Sequence, residues 1–199
     1  MDNKIREPRQ QRAIEKKEAI IKAAYKVFTK DGYYNTNTAE IAKVAGVSTG
    51  LVYGYFKDKK DILFYVIQIY INDVSAPVNE FIDSLTSPID FEKLANDLIA
   101  LVTKVHKINA NIHNVLHSLA GTDDEINEEF MRLETDLTNK GAIKLAELGV
   151  KSPNLKEKVH LIMNLVQSYV HESLYDKHEY LDYERMKKDV CDCIVCLFK

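Results

Sequence analysis

Apolar residues recur along this chain with the three- to four-residue spacing of amphipathic helices. The first such stripe lies between Ala19 and Gly32 and consists of Ile20, Ala23, Ala24, Val27 and Phe28. Similar stretches predict helices at Asp58–Ser84, Phe91–Lys107, Ala110–Leu119, Asp124–Leu148, Ser152–Tyr175 and Asp182–Phe198. With two short helices described below, the pattern predicts an all-α fold of about nine helices.

One segment of the pattern is ambiguous. The run from Phe64 to Ile71 has the composition of a buried strand. We expect a helix, because Asp58 is a suitable N-cap and no turn signal interrupts the run before Pro77. Pro77 itself should kink or break that helix.

Residues 37–56 read N-T-A-E-I-A-K-V-A-G-V-S-T-G-L-V-Y-G-Y-F and predict two short helices joined by a tight turn. Asn37 and Glu40 have the spacing of a capping box at the start of the first helix. Gly46 can adopt the left-handed conformation that ends it, and Ser48 can cap the second helix. This is the pattern of a helix-turn-helix, whose second helix enters the DNA major groove.

The flanking residues sharpen this interpretation. They read A-A-Y-K-V-F-x-x-x-G-Y, followed by E-I-A-x-x-A-G-V-S-x-G-x-x-Y-x-Y-F-x-x-K-x-x-I-L. Over this stretch the chain resembles the TetR (tetracycline-repressor) family of transcriptional regulators. The resemblance implies a three-helix DNA-binding domain with an N-terminal arm at residues 1–57. It also implies a helical effector-binding and dimerisation domain at residues 58–199.

The resemblance also suggests which residues meet DNA. Tyr53, Tyr55, Lys59 and Asn37 match positions that contact phosphates, although the tyrosine rings can alternatively be packed. Leu51 can pack on a thymine methyl, and the second helix lacks a side chain at Gly54. The predicted DNA-binding set is Asn37, Ser48, Thr49, Gly50, Leu51, Tyr53, Tyr55 and Lys59. Val47, Val52 and Phe56 are predicted to lie in the core.

Charge is distributed unevenly between the two predicted domains. Residues 1–60 hold 13 basic and 7 acidic side chains, whereas the remaining residues hold 14 and 23. A basic N-terminal region is suited to hold phosphates at one end of the molecule. Its arm contains Arg6, Arg9, Arg12, Lys16 and Lys17. These cations either reach an adjacent minor groove or remain on a solvated terminus.

Two groups of side chains invite a metal-site hypothesis. Cys191 and Cys193 would point to nearly opposite sides of a helix, so these two and Cys196 cannot converge on one zinc ion. His113 and His117 have the i, i+4 spacing of a shared metal, but the residues between them lack a catalytic signature. We predict no metal and no cofactor, and expect these histidines to contact an effector instead.

The apolar helices of the second domain predict a mostly hydrophobic effector pocket with a few polar groups. The candidate effector-binding residues are His113, His117, Met131, Asn164 and Gln167. We expect a lipophilic, aromatic or amphipathic ligand, while a solid core with no pocket is the alternative.

The last two helices carry apolar residues on more than one face, which predicts a homodimer. The candidate interface residues are Leu174, Val190, Ile194 and Leu197. A dimer places two helix-turn-helix motifs on successive major grooves, so the operator should be near-palindromic.

These features predict a cytoplasmic, ligand-released regulator that binds double-stranded DNA; by resemblance it is a repressor. No apolar run is long enough to span a membrane. We find no nucleophile motif, phosphate loop or supported pair of catalytic acids, so we predict no enzyme activity. A constitutive DNA-binding protein without an effector and an enzyme with a DNA-binding appendage remain as alternatives.

Overall fold

The computed structural model describes residues 6–199, with side chains from residue 11 onward. Within these residues the regular elements are all helices. They are α1 (Arg6–Asp31), α2 (Thr38–Ala45), α3 (Thr49–Tyr53), α4 (Lys59–Ser84), α5 (Phe91–Ala120), α6 (Asp124–Glu147), α7 (Leu155–Tyr175) and α8 (Tyr183–Cys196). The predicted all-α fold is confirmed, with eight helices in the described residues where about nine were expected.

The difference in number arises in α5, which was predicted as two helices with a break between Lys107 and Ala110. The intervening residues include no proline or glycine. Asn109 is buried, and its side-chain amide donates to the carbonyl of Val105 one turn earlier, at 3.0 Å. Its polar group is therefore satisfied within the helix, and the helix continues.

α4 also continues where a break was considered. The Phe64–Ile71 segment is helical, as predicted, and the helix passes through Pro77 to Ser84. A proline inside a helix removes one backbone hydrogen bond. Ile82, one turn beyond the proline, is buried and anchors the last part of α4.

α1 begins at Arg6 and is much longer than the predicted Ala19–Gly32 segment. Arg12, Lys16 and Lys17 therefore lie on a helix and not on an extended arm. The side chain of Lys17 donates to the hydroxyl of Tyr65 at 2.9 Å and lies over its ring. The other predicted arm side chains, Arg6 and Arg9, fall outside the described side chains.

Packing groups the chain into two compact units. The first comprises residues up to Tyr70 together with Asn111–Asn127, and the second comprises Ile71–Ala110 together with Glu128–Lys199. The functional division at residue 57 stays a prediction, because these units are defined by packing alone.

The core of the first unit explains how its short helices are held. In α1, Ile20, Ala24 and Phe28 have no exposed surface, and Ile41 of α2 is equally buried. Burying one such large apolar side chain stabilises a fold by about 1.5–3 kcal/mol. Helix α1 packs on α2, and α2 packs on α3. The helix-turn-helix is therefore supported mainly by tertiary contacts, since helices this short are unstable alone.

The second unit has its own apolar core, formed by α5, α7 and α8. Its buried members are Ala95, Ile99, Ile162, Val166, Tyr169, Val170, Tyr183, Val190, Cys191 and Ile194. The phenol of Tyr169 donates to the carbonyl of Tyr183 at 3.1 Å, and the rings of Phe91 and Phe198 stack at 4.2 Å. Helix α8 is thereby packed along its length. In residues 6–199, no helix has the length and apolar character that crossing a bilayer requires.

Candidate functional site

The first helix of the helix-turn-helix begins with a complete capping box. The backbone amide of Glu40 donates to Oδ1 of Asn37, and the amide of Asn37 donates to Oε2 of Glu40, both at 3.0 Å. Two amides that the helix leaves unpaired are thus satisfied. Asn37 is exposed at this N-terminus, where the helix dipole also favours an anion such as phosphate.

The turn and the second helix follow the predicted pattern. Gly46 has φ 69° and ψ 31°, the left-handed conformation that most residues avoid. Ser48 Oγ then accepts from the amide of Leu51 at 3.2 Å and caps α3. Val52 has no exposed surface and Phe56 is 2% exposed, so both are core residues as predicted, whereas Val47 is half-buried. Leu51 is half-buried and Gly50 is exposed on α3.

Tyr53 is the large exposed side chain of α3. Its ring is 57% exposed, and its hydroxyl lies 3.0 Å from Oγ1 of Thr38 on α2. Thr38 was missed in the sequence analysis, because nothing local links two residues on different helices. The next aromatic residue, Tyr55, is half-buried and lies beside the ring of Phe56. The structure therefore presents Tyr53 to solvent far more than Tyr55.

Lys59 is placed differently from the predicted phosphate contact. Its ammonium donates to the carbonyls of Tyr33 and Thr36 at 2.8 and 2.7 Å, and lies 4.2 Å from the centre of the Tyr33 ring. Partial burial lowers the pKa of this lysine, and the nearby Glu40 carboxylate partly offsets that effect. The side chain therefore fastens the α1–α2 connection to the start of α4.

A cavity of about 150 Å³ lies within the second unit. Its walls come from α4 and the residue after it, from α5, from α6 and from α7. The α4 and α5 walls are Val74, Val78, Phe81, Ile82, Leu85, Leu94, Leu98, Val102, Val105 and His106. Apart from His106 these are apolar. Burial lowers the pKa of His106, whose Nδ1 lies 2.9 Å from the carbonyl of Val102.

The opposite walls, from α6 and α7, carry more polar groups. Glu134 and Thr138 on α6 line the cavity together with Asn164 and Gln167 on α7. The two helices approach closely at Gly141, where an added Cβ would lie 3.0 Å from a methyl group of Val159. A residue larger than glycine would therefore require the Val159 side chain to shift by a few tenths of an ångström.

Comparison with known proteins agrees with this geometry. Residues 20–66 match the family model described as bacterial regulatory proteins, tetR family. These residues include the C-terminal part of α1, all of α2 and α3, and the start of α4.

The resemblance to the TetR family is confirmed.

Similar proteins of known name are regulators. The transcriptional regulator HbdR of Aromatoleum sp. (strain CIB) is 42% identical over 76 residues, which are 38% of this chain and 33% of HbdR. The match thus spans only a third of that relative. The fatty acid metabolism regulator protein of Bacillus subtilis (strain 168) is 29% identical over 145 residues, covering 69% of this chain and 70% of that protein.

Solved structures show the same fold over nearly the whole chain. A TetR-family regulator from Mesorhizobium loti has a TM-score of 0.71 at 19% identity, with 94% of this chain and 98% of that one covered. The transcriptional regulator FadR from Bacillus subtilis, in complex with stearoyl-CoA, has a TM-score of 0.65 at 20% identity, with 89% and 97% covered. At these identities the likeness shows the TetR fold alone.

The structure does not bring the five predicted effector residues of this TetR-like chain together. Asn164 and Gln167 line the cavity of the second unit. His113 and His117 lie in the first unit with their rings 4.1 Å apart, and Nδ1 of His113 is 2.6 Å from the hydroxyl of Tyr70. Met131 is 57% exposed on α6 and is not among the lining residues. The histidine pair was grouped with the pocket because spacing within one helix says nothing about which cavity it faces.

The predicted dimer residues also separate into two kinds. Ile194 has no exposed surface and Val190 is 8% exposed, because both pack inside the core of the second unit. Their side chains are covered within this chain, and their place in a dimer interface stays a prediction. Leu174 and Leu197 are half-buried against the same core and keep some apolar surface.

The cysteines are likewise divided. Cys191 is buried in the core, and burial raises the pKa of its thiol, while Cys193 and Cys196 are exposed. Within residues 6–199, no cluster of three or more histidine, cysteine or acidic side chains is placed to hold a metal ion.

Proposed function

We propose that this chain is a transcriptional regulator that binds a near-palindromic operator as a homodimer and releases it when a lipophilic effector binds. The observation that carries the proposal is the capped helix-turn-helix of α2 and α3, with an exposed face at Gly50 and Tyr53. By its resemblance to the TetR (tetracycline-repressor) family we propose a repressor. Regulation, and not catalysis, is the proposed role, and the cytoplasm is the proposed location.

The exposed surface of the motif supports separate roles for its residues. Tyr53 presents a hydroxyl to a phosphate, and Asn37 marks a helix N-terminus that favours an anion. Base edges and thymine methyl groups are proposed to contact Thr49, Leu51 and the backbone at Gly50. Ser48 acts through its cap, which fixes the start of α3. Lys59 acts through the fold of the motif and not through its side chain on DNA.

The DNA proposal is tested by selection from a random-sequence duplex library at moderate salt. We expect a near-palindromic site whose binding weakens steeply with salt. Tyr53→Ala should weaken binding to all sequences alike, whereas Thr49→Ala should reduce discrimination between bases. Tyr180→Ala, which removes an 81% exposed tyrosine from the second unit, is the matched control. Recovery of no preferred sequence would overturn the proposed function.

Dimerisation is proposed through the outer faces of α7 and α8. Leu174 and Leu197 retain apolar surface there, and Leu161 of α7 is 49% exposed. Leu161→Glu and Leu174→Glu should shift the protein toward monomer in analytical ultracentrifugation, since a charge in an apolar interface is poorly tolerated. A wild-type protein that sediments as a monomer at micromolar concentration would contradict this part of the proposal.

The effector is proposed to occupy the cavity of the second unit. A cavity of about 150 Å³ is on the order of one that holds a benzene ring, and below the ~300–1,000 Å³ of sites for drug-sized ligands. A compact lipophilic molecule, or the end of a longer chain, therefore fits it. The stearoyl-CoA complex of the structurally similar FadR supports a ligand with an acyl or alkyl tail.

Ligand control is tested by filling the cavity. Val102→Phe places an aromatic ring among the lining residues of the cavity. Ile143→Phe also introduces an aromatic ring, but at a 57% exposed position of α6. We expect a lipophilic ligand to raise the melting temperature of the wild type and of Ile143→Phe, and to release operator DNA from both. Both effects should be lost in Val102→Phe. Equal ligand responses in both variants would place the effector elsewhere.

A further inference from the structure

Apart from His106 on α5, the polar groups of the cavity lie together on α6 and α7. Thr138 is 9% exposed, and its Oγ1 lies 3.3 Å from Nδ1 of His160 on α7. Glu134 lies one helical turn before Thr138, and Asn164 lies one turn after His160. Glu134 and Asn164 are exposed, so this α6–α7 seam is the side of the cavity that reaches solvent. The walls from α4 and α5 face it with apolar side chains.

The charge at this α6–α7 seam is negative. Glu134 is the charged member of the lining set, all of which lies in the described part of the chain, and the set contains no lysine or arginine. The nearest lysines along α6 and α7 are otherwise engaged. Lys140 pairs with Asp83 at 2.8 Å, and Lys158 lies over the ring of Phe198. A carboxylate head group would therefore gain no cation there and would lie beside a like charge.

We infer that the cavity selects amphiphiles whose head group is uncharged or cationic, and discriminates against anionic head groups. This inference rests on the proposed effector function. The apolar tail lies against α4 and α5. The head group lies at the α6–α7 seam, where Thr138, Asn164 and Gln167 offer hydrogen bonds and Glu134 offers a negative charge. An acyl chain would be accepted as an ester, amide or alcohol in preference to the free acid.

The test compares three probes that share one tail: 1-octanol, octanoate and octylammonium. The chain contains no tryptophan, so calorimetric titration and thermal shift are preferred to fluorescence quenching. Measurements are made at about pH 8, where octanoate and octylammonium are both ionised. We expect octanol and octylammonium to bind, and octanoate to bind at least about tenfold more weakly than either.

Three variants of α6 make the test specific. In Glu134→Gln, octylammonium should bind no more tightly than octanol. The difference in affinity between octanoate and the other two probes should also become smaller. Asp136→Asn removes the same charge from an exposed position that does not line the cavity. It should leave the relative affinities of the three probes unchanged. Thr138→Val should weaken the binding of octanol but not that of toluene, which has no polar head group.

The outcomes separate the two proposals. If octanoate binds most tightly, or if Glu134→Gln and Asp136→Asn behave alike, the charge selection is wrong while the effector function stands. If none of the four probes binds or stabilises the protein, the proposed effector cavity is itself refuted, and the inference fails with it.

Discussion

Replacing Lys59 with methionine separates a structural role from a DNA contact. The change keeps a long, unbranched side chain but removes the ammonium, which donates to the carbonyls of Tyr33 and Thr36 and lies over the Tyr33 ring. Those two carbonyls lose their charged donor, and the α1–α2 connection loses its link to α4.

The size of the effect follows from these contacts. A hydrogen bond to a charged group contributes about 1.5–3 kcal/mol, and a partly exposed cation–π contact adds about 0.5–1 kcal/mol. Water can replace part of the lost bonding, since Lys59 is only half-buried. We therefore expect a loss of about 2–3 kcal/mol in the free energy of unfolding. For a chain of this size that corresponds to a fall in melting temperature of roughly 4–12 °C.

The assay pairs urea unfolding with operator titrations at several salt concentrations, and Lys57→Met, an exposed neighbour, is the control. At a temperature where Lys59→Met remains folded, its salt slope should stay close to that of the wild type. Loss of one phosphate contact from each protomer of the proposed dimer would instead reduce the slope by about 1.8. Unchanged stability together with a smaller salt slope would refute the structural role and restore the predicted phosphate contact.

Four further changes are expected to act locally. Gly46→Ala should destabilise the protein by about 1 kcal/mol, because alanine disfavours positive φ. Gly50→Ala, in a helical position with open space around it, should leave urea stability intact but weaken operator binding. Because burial lowers the pKa of His106, the unfolded chain binds that proton more readily, so stability is full above about pH 6.5 and falls as pH drops below it. His106→Gln should flatten this loss between about pH 7.5 and pH 5 in urea unfolding, and His178→Gln should not. Ile194→Ala should lower the free energy of unfolding by about 3 kcal/mol; a change below about 1 kcal/mol would show that the site is not core.

The features that the sequence predicted well are those encoded within a few residues. The Asn37–Glu40 capping box, the Gly46 turn and the Ser48 cap each depend on side chains at most three positions apart. Such signals survive in any tertiary context, because the groups that satisfy one another are already neighbours along the chain. The apolar stripe of α1 was informative for a similar reason, although the helix extends well before it.

The errors arose where distant residues decide the outcome. The Lys59 ammonium is satisfied by carbonyls 26 and 23 positions away, which no local pattern reveals. Ile194 is buried because α5 and α7 cover it, so its periodicity on α8 could not distinguish a core from a dimer face. The polar seam of the cavity likewise depends on how α6 and α7 face each other, and only Asn164 and Gln167 were anticipated there.

The contact between Thr38 and Tyr53 also affects the entropy of DNA binding. Immobilising a rotatable side chain at an interface typically opposes association by about 0.5–1.5 kcal/mol. The Tyr53 hydroxyl is already held 3.0 Å from Thr38 in the free protein, although its ring is mostly exposed. Much of this side-chain ordering therefore occurs during folding. Tyr53 would then lose less conformational entropy when it contacts a phosphate. Thr38 can donate to the phenol oxygen while the phenol proton points toward the phosphate, which makes tyrosine a stronger donor through cooperative polarisation. Through its contact with Tyr53, Thr38 would thereby set part of the proposed affinity for DNA.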